Sequence, residues 1–344
     1  MFGAGVGLSG LAAITRYVRI DDVLAFVVAG LAIAVLATLV ARAVDQLGDR
    51  FGAGATGVLQ SALGNLPELF IGIFALRAGL HTVVETAIIG SILGNVLLVF
   101  GLSVLVGGLR NGVQHFHPRR ARTITVLMLL AVAGMLVPSL ASFVHSPASR
   151  HEGALSIITA VVLLTVFAAS VPASLRRGDP AQEIRKAGAA PRWSPALAVV
   201  VLALTAILAA LVSDWFVHAL TPAIRTLHIS QAFAGLVIVA IASNAVENAV
   251  GVRLAARNES DYALSVILNS PAQIALVLAP ALVLLSHVIG GIPFTLVFSP
   301  LLVTTVATSV VVLTFITLDG ETVWLEGAAL VGLYVLIAAG FWWG

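Results

Sequence analysis

Two glutamates, Glu68 and Glu247, stand in the middle of long apolar stretches. A charge at the centre of a membrane helix costs about 2.5–3.5 kcal/mol on insertion scales, so its default reading is functional. Each lies in similar local text, Gly64-Asn65-Leu66-Pro67-Glu68 and Ser243-Asn244-Ala245-Val246-Glu247. One offset of 179 positions carries Asn65, Glu68, Gly72 and Ser91 onto Asn244, Glu247, Gly251 and Ser270. Leu, Val and Ala recur freely in apolar helices, whereas Asn, Glu and Ser do not. The shared offset therefore points to an internal duplication with one buried acid per copy.

On a helix, positions three and four apart share a face. Asn65, Glu68 and Gly72 form one stripe; Asn244, Glu247, Asn248 and Gly251 form the matching one. Ser91 with Asn95, and Ser270 with Gln273, give a second polar stripe in each half. This donor set is all oxygen, which suits a hard cation. Ca²⁺ takes about 6–8 oxygens, and two carboxylates balance its charge while amides and hydroxyls add neutral ligands. Pro67 and Pro271 lack an N–H, which frees the carbonyls of Leu63 and Ile267 beside these stripes. The candidate cation ligands are thus Glu68, Glu247, Asn65, Asn244, Ser91, Asn95, Ser270, Gln273, Asn248 and the Leu63 carbonyl. Glu68 and Glu247 are also the candidates for proton coupling, because two facing carboxyls titrate as a pair and protons compete with the cation for the same oxygens. The alternative for Asn95, Asn248 and Gln273 is hydrogen-bonded glue between helices. Asp45 and Asp214, near the ends of the first and sixth spans, read as entrance acids on opposite sides or as interfacial anchors. Glu85 reads as interfacial. His115 and His117 read as surface residues, because no acid accompanies them in the sequence.

These stripes need helices to carry them. The chain is 60% hydrophobic and 10% charged, with a mean hydropathy of +1.08. Soluble domains average about 25% charged residues. Continuous apolar runs long enough to cross a slab of about 30 Å select membrane helices over a barrel. The pattern predicts ten spans, at roughly 22–44, 53–77, 82–107, 121–143, 152–175, 194–220, 230–254, 261–289, 294–318 and 323–343. Residues 1–20 read as an interfacial lead-in without the marks of a signal peptide. The polar stretch 176–193 reads as a linker that divides the spans into repeats at 21–175 and 194–344. Five spans per copy force the second copy to enter upside down, the inverted-repeat plan of many secondary transporters. Of the 18 Lys and Arg, 13 fall on the side of the loops after odd-numbered spans. That side is expected to be cytoplasmic, with both termini outside, in a prokaryotic inner membrane. The basic balance thus reflects topology and implies no nucleic-acid partner. With no cysteine there is no disulfide frame or thiolate site.

These residues resemble the cation/proton exchanger branch of the calcium:cation antiporter superfamily. Gly64-Asn65-Leu66-Pro67-Glu68-Leu69 with Gly90-Ser91-Ile92-Leu93-Gly94-Asn95 is similar to that family's first repeat motif. Asn244-Ala245-Val246-Glu247 with Asn269-Ser270-Pro271-Ala272-Gln273-Ile274-Ala275-Leu276 is similar to its second. The tail resembles it too, at Leu296-Val297-Phe298-Ser299-Pro300, Asp319-Gly320 and Trp324-Leu325-Glu326-Gly327. Ser243 stands where the family usually has Gly, and Asn248 where it usually has His. The extra leading helix of eukaryotic members is not expected here. The resemblance implies an all-α integral membrane protein of ten helices in two inverted five-helix repeats. It implies export of Ca²⁺ against H⁺ with Glu68 and Glu247 as shared ligands, and Ser91, Asn95, Ser270 and Gln273 lining the pathway.

Other functions stay open at this point. Exchange of Na⁺ or K⁺, or use of Na⁺ in place of H⁺, would use the same oxygens. An intramembrane hydrolase would need a nucleophile with a base or paired histidines, which the spans do not offer. A channel would more naturally show oligomeric symmetry than an inverted duplication. The expected partners are Ca²⁺, protons and the lipid bilayer, with no cofactor and no enzymatic activity.

Overall fold

A computed structural model describes residues 2–18, 21–51, 63–176 and 193–343. The linker expected at 176–193 lies almost wholly outside the described residues, as do residues 53–62 of the second expected span. The described chain is nearly all helix: α1 Phe2–Tyr17, α2 Asp22–Phe51, α3 Leu66–Arg77 and α4 His81–Asn111. After strand β1, Gln114–His115, come α5 Pro118–Phe143, α6 Glu152–Arg176 and α7 Pro195–Leu227. Then follow α8 over 231–256, α9 Ser260–Ile289, α10 Pro300–Ile316, strand β2 Glu321–Thr322 and α11 Trp324–Trp342. Among the described residues, seven helices are long and apolar enough to cross a membrane, or eight if the bent α8 counts as one span. Helices α2–α11 fall where the ten spans are expected.

Local sequence sets several boundaries. Ser194 and Ser299 each precede a proline and accept a hydrogen bond from the backbone of Leu197 (3.2 Å) and Leu302 (3.4 Å). A serine cap followed by proline in the first turn satisfies helix starts where no proline N–H is needed. Two expectations need correction. Residues 1–20 are more than a lead-in: Phe2–Tyr17 is a 16-residue helix preceding the repeats, and its buried stripe Gly5, Ser9, Ala12 and Thr15 packs on α2. The ninth span is shorter than 294–318, because helix begins only at Pro300. Residues 292–298 are not helical, with Phe294, Leu296 and Phe298 at most 1% exposed. Serine hydroxyls take over the hydrogen bonds that a helix would have made. Ser139 Oγ donates to the Leu296 carbonyl and accepts from the Phe298 N–H, both at 2.9 Å. Ser156 Oγ accepts from Leu296 N–H and Ser286 Oγ from Phe294 N–H.

The helices gather into two compact units, each drawing on both halves of the sequence. Met1–Ala78 with Leu164–His228 forms the first, built on α2 and α7. Ile33, Leu36 and Val40 of α2 are fully buried, at i, i+3 and i+7. Phe26 stacks on Phe216 (4.7 Å between centroids), and Gln46 accepts from the backbone of Trp193 at 3.1 Å. Low residue numbers on α2 thus meet high ones on α7, so the first helices of the two copies run antiparallel. Inverted repeats require this relation. Gly79–Leu163 with Ile229–Gly344 forms the second unit. Its central helix is α4, most of whose apolar middle is buried, whereas most of that of α11 is not. In this unit α5 packs on its repeat equivalent α10.

Candidate cation site

Two glycines bring the polar stripes of the second unit together. A methyl group on Gly90 of α4 would run into the backbone of Leu236, 2.5 Å from its Cα and 2.7 Å from its carbonyl carbon. One on Gly235 of α8 would meet the Val83 carbonyl at 2.7 Å and collide with the Thr86 hydroxyl. Reciprocal glycines let the two backbones approach at a distance no other residue permits. Gly251 of α8 instead makes room for the Ile267 side chain of α9, whose Cγ1 an added methyl would meet at 2.5 Å.

The close approach closes a chain of buried polar side chains across three helices. Asn244 Nδ2 donates to Ser91 Oγ at 3.3 Å, and Ser270 Oγ donates to Asn244 Oδ1 at 3.4 Å. Asn244 also donates to the Ala240 carbonyl (3.1 Å) and to Ser243 Oγ (3.1 Å). Ser91, Asn244 and Ser270 are each 3–4% exposed. One turn further on α4, Asn95 donates to the Ser91 carbonyl at 2.9 Å and is 2% exposed. Its Oδ1 has no hydrogen-bond partner among the described residues, and neither does the buried Oδ1 of Asn248. An amide oxygen buried without a donor costs about 1–3 kcal/mol, unless a cation or water completes it.

The backbone around these side chains is irregular where a site would need it. Gly94–Val99 and Ile274–Leu278 are π-helical, a widened turn that recurs at functional positions. They follow Ser91 and Ser270 at almost the repeat offset. A third π segment, Ala234–Val239, precedes Asn244. Gln273, half-buried, closes the α-helical part of α9 one turn beyond Ser270. Between Gln231–Ala245 and Asn248–Ala256 the axis of α8 turns by 67°. Glu247 sits at this bend, and only its backbone is described.

In the first unit, the Gly64-Asn65 turn precedes α3, with Pro67 in the first helical turn and Glu68 one residue later. Pro67 therefore opens a helix where the sequence suggested a kink within one. Leu63 lies just before that turn. Asn65 is 7% exposed, and its carbonyl accepts from the Leu69 N–H at 3.0 Å. Glu68 is half-buried. Asp45 is half-buried near the end of α2. Asp214 lies well inside α7, farther from the helix end than expected, and its carboxylate is 3.5 Å from the His218 ring. Among the described residues no three His, Cys, Asp or Glu come together.

The surface histidines do have acids beside them. β1 pairs antiparallel with β2, which places His115 Nδ1 3.4 Å from Glu321. The backbone N–H of His117 donates to Asp261 at 2.7 Å. Glu85, half-buried, follows one turn after the start of α4. Sequence reasoning marked Gly90 and Ser243 only as motif positions and passed over Gly235; an adjacent-helix contact leaves no periodic mark in one chain.

Comparison with known proteins follows the same repeat. The sodium/calcium exchanger protein family matches residues 22–175 and again 197–343. A Ca²⁺/H⁺ antiporter, ChaA, of Bacillus subtilis is 33% identical, covering 99% of this chain and 97% of that protein. A Ca²⁺/H⁺ antiporter of a Synechocystis species is 32% identical over 92% of this chain and 90% of its own. The crystal structure of the Ca²⁺/H⁺ antiporter protein YfkE superposes with a TM-score of 0.84 at 30% identity, covering 99% of this chain and 98% of that one. With both halves matched by one exchanger domain, the chain belongs to the sodium/calcium exchanger protein family, in its cation/proton exchanger branch.

Proposed function

We propose that the chain exports Ca²⁺ across the membrane in exchange for H⁺ by alternating access, as a transporter and not a catalyst. The observation that carries this reading is the Ser91–Asn244–Ser270 chain with Asn95 beside it, whose buried Oδ1, like that of Asn248 farther along α8, has no donor among the described residues. Oxygens aimed at no donor suit a cation. Glu247, on the helix of Asn244 and Asn248, supplies one carboxylate. Glu68 supplies the other, by its equivalent place in the first copy. Asn65, Gln273 and the Leu63 carbonyl complete the candidate ligands, and Asp45 and Asp214 serve as entrance acids.

Protonation of the two glutamates and binding of a divalent cation exclude each other. If only the proton-loaded or cation-loaded site changes its facing, exchange follows without a second pocket. The relatives named as Ca²⁺/H⁺ antiporters support this cargo. The loops after α2, α4, α6, α8 and α10 face the cytoplasm in this reading, and the C terminus lies outside.

The test is flux in reconstituted vesicles under an imposed pH gradient, comparing Ca²⁺, Na⁺ and K⁺ for the wild type, Glu68→Gln and Glu247→Gln. Wild-type Ca²⁺ counterflow should follow the gradient, and either substitution should abolish it in a folded protein. Ca²⁺ uptake indifferent to the gradient would reject proton coupling. Retained flux in both variants would reject the ligand assignment.

A further inference from the structure

Away from these stripes, three hydroxyls share a small hollow beneath the β1–β2 pair. Ser103 on α4, Ser260 at the start of α9 and Thr322 on β2 line one cavity of about 10 Å³. They are 2%, 8% and 2% exposed. None of the three oxygens has a hydrogen-bond partner among the described residues. Strand alternation explains Thr322: its neighbour Glu321 points outward to His115, and Thr322 faces in opposite Gln114.

The walls decide what the hollow can hold. Phe100, Phe116 and Leu264 are apolar. The Gln114 amide donates to the Ala255 carbonyl at 3.4 Å, an oxygen that also accepts from Asn111 at 3.2 Å. No acidic residue lines the cavity. Asp261, next to Ser260, is taken up by the backbone of His117. A cation would therefore be buried without a counter-charge. The volume is close to the minimum for one water, which needs two to four polar partners. Hydroxyls can both donate and accept, so three of them suit a ligand that does the same.

We propose that Ser103, Ser260 and Thr322 together bind one ordered water molecule. The water joins α4, α9 and β2, three segments far apart in sequence, into a single hydrated joint. Ser103 Oγ also lies 3.8 Å from where a methyl on Gly251 would stand, so the joint abuts α8 one turn beyond Glu247. This site is independent of which ion is transported.

The experiment uses the full-length protein in detergent, with Thr322→Val and Ser103→Ala made singly and together. Thermal unfolding and X-ray hydroxyl-radical footprinting of Phe100 and Phe116 are the two readouts. With the water present, each single variant removes one of its anchors and lowers the midpoint by about 2–4 °C. The double variant loses less than the sum, because both hydroxyls hold one molecule. Radical labelling at Phe100, 3% exposed in the fold, is detectable in the wild type and falls several-fold in the double variant. An unchanged or raised midpoint would mean a dry hydroxyl whose removal relieves the protein, and would overturn the proposal. Additive losses, or no labelling at Phe100 in the wild type, would also overturn it. A midpoint drop on replacing Na⁺ and K⁺ by choline that the wild type shows and the double variant has lost would assign the hollow to a cation and reject the water.

Discussion

Gly90→Ala is predicted to be among the most damaging single-methyl changes in the second unit. The added carbon would lie 2.5 Å from Leu236 Cα and 2.7 Å from its carbonyl carbon, and would also collide with the carbonyl oxygen. Side chains can yield to an extra methyl, and overpacking then costs about 1–3 kcal/mol. Here the obstacle is backbone, so the upper figure of about 3 kcal/mol applies. Alanine regains about 1 kcal/mol of helix propensity over glycine. The net loss is about 2 kcal/mol. Gly94, one turn further along α4, is the control: a methyl there meets nothing within 4 Å. Gly94→Ala should therefore keep the propensity gain and be neutral or stabilised by up to about 1 kcal/mol. Unfolding in detergent, followed by denaturant titration, should separate the two variants by about 2–3 kcal/mol. The same displacement should weaken the Asn244–Ser91 contact and slow Ca²⁺ flux. Equal stability for Gly90→Ala and Gly94→Ala would refute the close backbone approach of α4 and α8.

Asn244→Ala removes an amide whose two N–H groups are shared among Ser91, Ala240 and Ser243, and the acceptor of Ser270; it should cost about 1–3 kcal/mol and cut Ca²⁺ flux more than tenfold in vesicles. Ser139→Ala leaves the buried Phe298 N–H and Leu296 carbonyl unserved; the thermal midpoint should fall, whereas Ser139→Thr should retain part of it. The chain contains no cysteine, so single introduced thiols report sidedness cleanly. An impermeant maleimide added outside intact cells should label Ala148→Cys and spare Arg257→Cys, both exposed positions. Reversed labelling would invert the proposed orientation.

The polar half of the site could be read before any coordinates, because Asn, Ser and Glu are scarce in apolar helices and their common offset stands out. That offset led to Ser91, Asn244 and Ser270, which the second unit joins by hydrogen bonds. The π segments were not legible, since a widened turn changes backbone pairing without changing residue type. Nor was α1: its Gly5, Ser9, Ala12 and Thr15 are small, and their packing on α2 substitutes for a long apolar run. Pro67 was seen as a break, but a proline in a first turn and one that kinks a helix read alike in text. The acids beside His115 and His117 are Glu321 of β2 and Asp261 of α9, segments too distant in sequence for any local pattern to connect.

The composition of the first unit constrains how the protein is made. Its framework pairs α2, Asp22–Phe51, with α7, which starts only at Pro195. Through all the intervening synthesis, the buried face of α2 must wait in the lipid without its mate. Biogenesis of this unit cannot finish on the nascent first half, and splitting the gene at the linker should yield an N-terminal fragment that matures only when the C-terminal one is co-expressed.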